Sequence, residues 1–129
     1  MFPLQQTLRS GLVPAGAYSN KLRRAIFAQL SRLIKEGVIK QQEIARAVGE
    51  LNAFLYRVLV EELKLDKTDP VRIEISYTVE NGRITWDYKT LKITAYKTLP
   101  QNLIELAIQY ALSSRQQTTG EGRETTVAQ

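Results

Sequence analysis

Three cations crowd the front of a segment with helical periodicity: Lys21, Arg23 and Arg24, preceded by Tyr18, Ser19 and Asn20 and followed by Phe27. Amide groups at a helix N-terminus carry partial positive charge, so each cation placed there costs roughly 0.3–1 kcal/mol. Stability alone would favour Asp or Glu in that turn. Positive side chains, free amides and flanking rings together make a surface suited to an anion.

At 100° per residue, Lys21, Arg24, Arg32 and Lys35 fall within an arc of about 80° that holds no acid. Arg23 projects into the apolar arc instead, between Leu30 and Ile34. Two readings stay open for it: a partly buried ion pair with Glu74 or Asp87, or a phosphate contact at the edge of an apolar cleft.

Rings extend the pattern. Single-stranded nucleic acid is held by a basic groove and aromatic platforms, at about 1–3 kcal/mol per stacked base. Tyr18, Phe27, Trp86, Tyr88 and Tyr96 are the candidates. Core packing is the better reading for Phe27 and Tyr77, whereas Trp86 and Tyr88 remain open between core and platform.

The rest of the chain narrows the chemistry. It has 129 residues and a net charge of +5. Residues 1–60 hold nine basic and three acidic groups, while residues 61–115 hold eight of each. The positive field belongs to the N-terminal half and favours a polyanionic partner. The chain has no Cys and no His. That excludes thiol catalysis, disulfides, Cys/His metal sites and the commonest general base. Phosphate-loop and nucleophile-elbow motifs are missing too, so the expectation is a protein that is not an enzyme and takes no cofactor or metal. With no long apolar run and no basic-then-apolar leader, the expected location is the cytoplasm, without membrane contact.

The elements that must position these residues can be read next. Residues 1–18 read as a loop punctuated by Gly11, Pro14 and Gly16, with one extended piece near residues 11–13. Ser19 or Asn20 should cap a helix reaching residue 36, with Gly37 as its stop. A second helix should cover residues 41–63, with Ile44, Val48, Leu51, Leu55, Val58 and Leu59 as its core stripe, widened by Ala47 and Phe54. Arg46–Glu50 and Arg57–Glu61 are spaced for (i, i+4) pairs on its solvated face. Gly49 and Ala53, beside Tyr56 and Val60, offer a small-residue patch for another element or subunit.

Alternation from Val71 to Val79 marks a strand, and Asn81-Gly82 marks a two-residue hairpin. That turn sets 79 against 84, 77 against 86 and Ile75 against Tyr88, making Tyr77 and Trp86 a cross-strand pair. The apolar phase slips beyond Tyr88. One extra residue near Lys89–Thr90 would restore it and set Leu91 against Ile73; a break into two strands is the alternative. Trp86, Tyr88, Lys89 and Lys92 would then gather at a bent corner. A third helix is expected over residues 101–114, and residues 116–129 read as a disordered tail after a single domain of residues 1–115.

The run Ser10-Gly11-Leu12-Val13-Pro14-Ala15-Gly16-Ala17-Tyr18-Ser19-Asn20-Lys21-Leu22-Arg23-Arg24 resembles the opening motif of the archaeal ThermoDBP family and its relatives. Residues 51–57, residues 65–73 and the run Trp86-Asp87-Tyr88-Lys89-Thr90-Leu91-Lys92-Ile93 fit it as well, so the resemblance spans roughly residues 9–97. It implies single-stranded DNA binding, with RNA binding in some relatives, and helices packed on an antiparallel sheet around an apolar cleft with basic flanks. Carried over, that cleft would use Tyr18, Lys21, Arg23, Arg24, Phe27, Trp86, Tyr88 and nearby lysines. It also implies a dimer formed through a long leucine-rich C-terminal helix. Here residues 103–112 make only about three turns, a departure from that pattern.

The expectation is therefore an α+β domain: two main helices on a bent antiparallel sheet containing a hairpin, plus a short C-terminal helix. Its expected role is sequence-tolerant binding and protection of single-stranded DNA, with single-stranded RNA as a further ligand and a homo-oligomer, a dimer first, as the assembly. Lys21, Arg23, Arg24, Lys89 and Lys92 would neutralise phosphate; Tyr18, Trp86 and Tyr88 would stack bases. The competing reading is a homo-oligomeric interaction scaffold without nucleic acid.

Overall fold

A computed structural model describes residues 3–118. The chain divides into two compact units between Lys97 and Thr98. The first contains strand β1 (Leu4–Pro14), a 3₁₀ turn (Ala15–Ala17), helices α1 (Tyr18–Gln29), α2 (Ser31–Lys35) and α3 (Gln41–Tyr56), a π-helical turn (Arg57–Glu62), and strands β2 (Pro70–Glu80) and β3 (Arg83–Ala95). The second contains helix α4 (Gln101–Thr118). This is the expected α+β class, with an antiparallel sheet in the order β1-β2-β3.

The N-terminal segment corrects the sequence reading. It is an eleven-residue strand, not a loop. Leu4 pairs with Val79 and Arg9 with Glu74, then the register shifts before Leu12 pairs with Arg72. The irregularity is held by Ser10, which is buried. Its Oγ accepts the Ile73 amide at 2.9 Å and donates to the Gly11 carbonyl at 2.6 Å. A side chain thereby satisfies a buried backbone donor that the shifted ladder leaves without its partner.

The first helix is interrupted. α1 closes at Leu30 (φ −104°, ψ 12°), and α2 adds a short second piece with no fully buried residue. α3 buries Ile44, Ala47, Val48, Leu51 and Leu55, as its apolar spacing requires. After Tyr56 the backbone widens into the π turn, where the Leu63 amide reaches back five residues to the Val58 carbonyl at 2.9 Å. The Arg46–Glu50 pair forms at 3.0 Å. No Arg57–Glu61 pair occurs among the described residues, because a π turn rotates residues four apart out of line.

The hairpin is as expected. Asn81 (φ 54°) and Gly82 (φ 72°) both take the left-handed conformation of a two-residue turn. Val79 faces Ile84 and Tyr77 faces Trp86. Beyond Ser76–Asp87 the register jumps to Glu74–Lys92, so residues 88–91 stand against Ile75 alone. The bulge is therefore three residues larger on β3, not one. Ile73 opposes Ile93 and Val71 opposes Ala95, in place of the expected Leu91 and Ile93. Side-chain bonds hold the bulge: Thr90 Oγ1 accepts the Ser76 amide at 2.9 Å and donates to the Asp87 carbonyl at 2.6 Å. Both shifts are odd, so Leu91 and Ile93 still pack against the core.

The core lies between this sheet and α1 and α3. Leu22, Ile26 and Leu30 meet Ile44, Leu51 and Leu55 over Val71, Ile73, Ile75 and Tyr77. Burying each such aliphatic side chain contributes about 1.5–3 kcal/mol. Tyr77 and Trp86 form an edge-to-face pair with centroids 5.3 Å apart. In the second unit, α4 leaves Leu103, Ile104, Leu106, Ile108, Tyr110 and Leu112 exposed. It runs four residues past the expected end at 114; the rest of the expected disordered tail lies outside the described residues.

Candidate nucleic-acid interface

The entry to α1 is built by the turn before β2. The Ala15 amide donates to the Asp69 carbonyl at 2.8 Å and the Gly16 amide to the Lys67 carbonyl at 2.9 Å. A Cβ on Gly16 would stand 3.1 Å from Lys67 Cβ, a tight contact that would push the two segments slightly apart. The Tyr18 amide closes onto the Ala15 carbonyl. Neither Ser19 nor Asn20 caps the helix; the N-cap position is Ala17, with no side-chain bond. These first amides are satisfied within the chain. The cationic side chains of α1 follow directly after them.

Those side chains are available. Arg23 and Arg24 are exposed and Lys21 is half-buried, while Arg32 and Lys35 continue the exposed set on α2. Among the described residues, none of the five forms an ion pair. Neither carboxylate considered for Arg23 engages it: Glu74 pairs with Arg9 at 3.5 Å, and Asp87 Oδ1 accepts the Lys89 amide at 3.2 Å. No acid occupies the first turn of α1, and the next in the sequence is Glu36.

The rings divide differently from expectation. Trp86 is 6% exposed, and its indole N–H donates to the Ala47 carbonyl at 2.8 Å. Tyr18 is 8% exposed, and its hydroxyl donates to the Asn52 carbonyl at 3.0 Å. Burial, then the neighbouring Tyr56, raises the Tyr18 pKa. In this fold both are core rings with a tethered polar end, a correction to their expected role as stacking platforms. Phe27 is partly buried against the core, as its packing reading required.

The further candidate Tyr96 is 49% exposed, and of the three rings expected to stack bases Tyr88 is the one left open, at 36% exposure. It lies against Phe54, with centroids 4.8 Å apart and rings tilted by 54°. Phe54 is 42% exposed and was read from the sequence as core. The signal was present: residues 43, 47, 50 and 54 follow one flank of α3, and that flank faces β3. Burial, then the Glu50 carboxylate, raises the Tyr88 pKa. Lys89 and Lys92, also exposed, belong to the same bulged stretch.

The expected residues thus form two groups with α3 between them. On one flank Asn52 meets Tyr18 of α1; on the other Ala47 meets Trp86 and Phe54 meets Tyr88 of β3. On the helical wheel, residues 52 and 54 stand about 200° apart. One group carries Lys21, Arg23, Arg24 and Phe27; the other carries Tyr88, Lys89 and Lys92. A shallow hollow at the hairpin tip, lined by Lys40, Gln42, Glu43, Arg46, Asn81 and Gly82 among others, includes none of the expected residues.

Among the described residues, no group of three or more His, Cys, Asp or Glu side chains could hold a metal ion. No helix among them is long and apolar enough to cross a membrane.

No curated protein is matched by the sequence. The crystal structure of apeThermo-DBP-RP2 bound to the single-stranded DNA dT10 superposes with a TM-score of 0.75 at 36% identity, over 90% of this chain and 54% of that one. The present chain therefore spans about half the length of that relative. The crystal structure of pfuThermo-DBP-RP1 (crystal form II) gives a TM-score of 0.64 at 30% identity, over 90% of this chain and 77% of that one. A family model described as ThermoDBP-related, archaea, matches residues 8–85, from the inner half of β1 through the hairpin. The chain belongs to the archaeal ThermoDBP-related family.

Proposed function

We propose that this protein binds single-stranded nucleic acid with little regard to sequence and shields exposed strands. The observation that carries this reading is the cation set on α1: Lys21 closes the first turn and Arg23 and Arg24 follow in the second, no acid accompanies them on the helix, and no ion pair among the described residues neutralises them. A phosphate backbone would supply the missing counter-charge. The relative bound to dT10 makes single-stranded DNA the first ligand to examine, with single-stranded RNA the second. Lys89 and Lys92 would add phosphate contacts beside Tyr88, and the cytoplasm is the compartment this role requires.

The test is fluorescence anisotropy of labelled dT10, U10 and a ten-base-pair duplex. Wild-type protein should prefer the single strands. Arg23→Ala/Arg24→Ala should weaken dT10 binding by ten-fold or more while leaving the circular dichroism spectrum unchanged. Equal affinity for duplex would contradict strand selectivity, and an unaltered double mutant would favour a scaffold that does not bind nucleic acid.

Self-association is part of the proposal. The exposed apolar residues of α4 form more uncovered surface than an isolated helix tolerates well, and a second copy of α4 would cover it. Light scattering should give a dimer that falls to monomer when Leu103, Leu106 and Tyr110 are replaced by Ser; a monomeric wild type would overturn this part.

A further inference from the structure

We infer that the Phe54–Tyr88 pair, where α3 faces the β3 bulge, is a seat for one unpaired nucleobase. The inference rests on the single-strand reading and assigns a role to Phe54, a residue outside the α1 cation set.

Three observations converge there. The two rings are large and apolar, yet each keeps over a third of its surface in solvent. Isolated exposed rings are ordinary; two in mutual contact at 4.8 Å make a continuous apolar face. The tilt of 54° keeps the rings from covering each other's faces, so a planar group has a face to lie on.

The backbone around the pair is irregular on both sides. The π turn begins at Arg57, three residues after Phe54, and the bulge begins at Tyr88 itself. Bulges in sheets re-aim side chains and recur next to functional sites. Here the bulge is fixed by Thr90 and Asp87, which hold residues 88–91 in one arrangement. A ring held by such a scaffold loses little entropy when a ligand stacks on it.

Charge selects the occupant. Lys89 lies in the bulge next to Tyr88, Arg57 follows Phe54 by three residues and Lys92 follows the bulge; all three are exposed, and among the described residues none of them forms an ion pair. Two acids lie nearby: Glu50, whose carboxylate accepts Arg46 Nη1 at 3.0 Å, and Asp87, next to Tyr88, whose Oδ1 accepts the Lys89 amide at 3.2 Å. An apolar ring face rimmed by unneutralised cations fits a ligand that is planar and apolar in its middle and anionic along its backbone. A nucleotide within a single strand has that chemistry; a base locked inside a duplex cannot offer its face.

The experiment compares labelled dT10 with an abasic ten-mer of the same backbone on wild type, Tyr88→Ala, Tyr88→Phe and Phe54→Leu. Tyr88→Ala and Phe54→Leu should each weaken dT10 binding by five-fold to a hundred-fold, the range for losing one stacked base. Tyr88→Phe keeps the ring and should bind as wild type. Binding of the abasic strand should not respond to any of the three. If wild type fails to bind dT10 at all, the single-strand reading falls first. If it binds dT10 and the ring deletions change nothing, or change abasic and dT10 binding alike, the base seat is overturned and the cation reading stands. Phe54→Leu keeps apolar packing on α3, so it separates loss of a ring from loss of fold should Tyr88→Ala unfold.

Discussion

The Glu43 carboxylate accepts the Ile84 amide at 2.9 Å and so ties α3 to the first turn of β3. Arg46 completes the tie by bonding both Glu43 and the Ile84 carbonyl. Hydrogen bonding from Arg46 is the main cause that holds the Glu43 pKa at about 2, below its ordinary 4.5. A carboxylate depressed in this way adds stability above its unfolded pKa and loses it as pH falls through the folded value. Wild type should therefore lose melting temperature between about pH 4.5 and pH 2. Glu43→Gln keeps an acceptor for Ile84 but not the charge. Its deficit against wild type should be largest near neutrality and close as pH approaches 2. A pH-independent deficit would contradict the assignment.

Trp86 should behave as a core residue. Its indole is bonded to the Ala47 carbonyl and set edge-on to Tyr77. Emission should be blue-shifted and poorly quenched by acrylamide, and saturation with dT10 should move it little. Trp86→Ala should cost about 3–5 kcal/mol in denaturant unfolding. Strong quenching of the free protein would contradict the burial.

Ser10 should matter more than its size suggests. Replacing it with Ala leaves the Ile73 amide buried without its acceptor, at a cost of about 1–3 kcal/mol. Urea unfolding measures this directly; a change under half a kcal/mol would show that the β1 irregularity is satisfied in some other way.

The same residue explains part of what the sequence concealed. β1 places Ser10 on the inward face where a strand pattern would show an apolar side chain, and Gly11 and Pro14 look like loop punctuation. Pairing with β2 overrides both signals, and pairing partners far along the chain leave no local trace. The hairpin was legible because Asn81-Gly82 fixes its own register. The phase slip after Tyr88 marks an irregularity, a bulge or a break, but not its size, since one extra residue and three restore the same face. Thr90 bonding across to Ser76 decides between them.

The site was legible in part for similar reasons. The α1 cations could be recognised because a run of like charge on one helix is a local property, although the earlier N-cap at Ala17 sets Arg23 and Arg24 in the second turn. The sequence leaves Trp86 open between core and platform, because whether α3 covers it depends on how the helix lies across the sheet. Phe54 went the other way: the wheel puts it at the margin of the core stripe, and the bulge at Tyr88 carries β3 past it without sealing it.

The most direct measurement is the salt dependence of dT10 affinity for wild type and for Arg23→Ala/Arg24→Ala. Each phosphate contact contributes about 0.7 to the slope of log affinity against log salt for a single strand. Removing both guanidinium groups should therefore flatten the slope by about 1.4 and weaken binding at low salt. Identical slopes and affinities for the two proteins would contradict the claim that the α1 cations neutralise a bound strand.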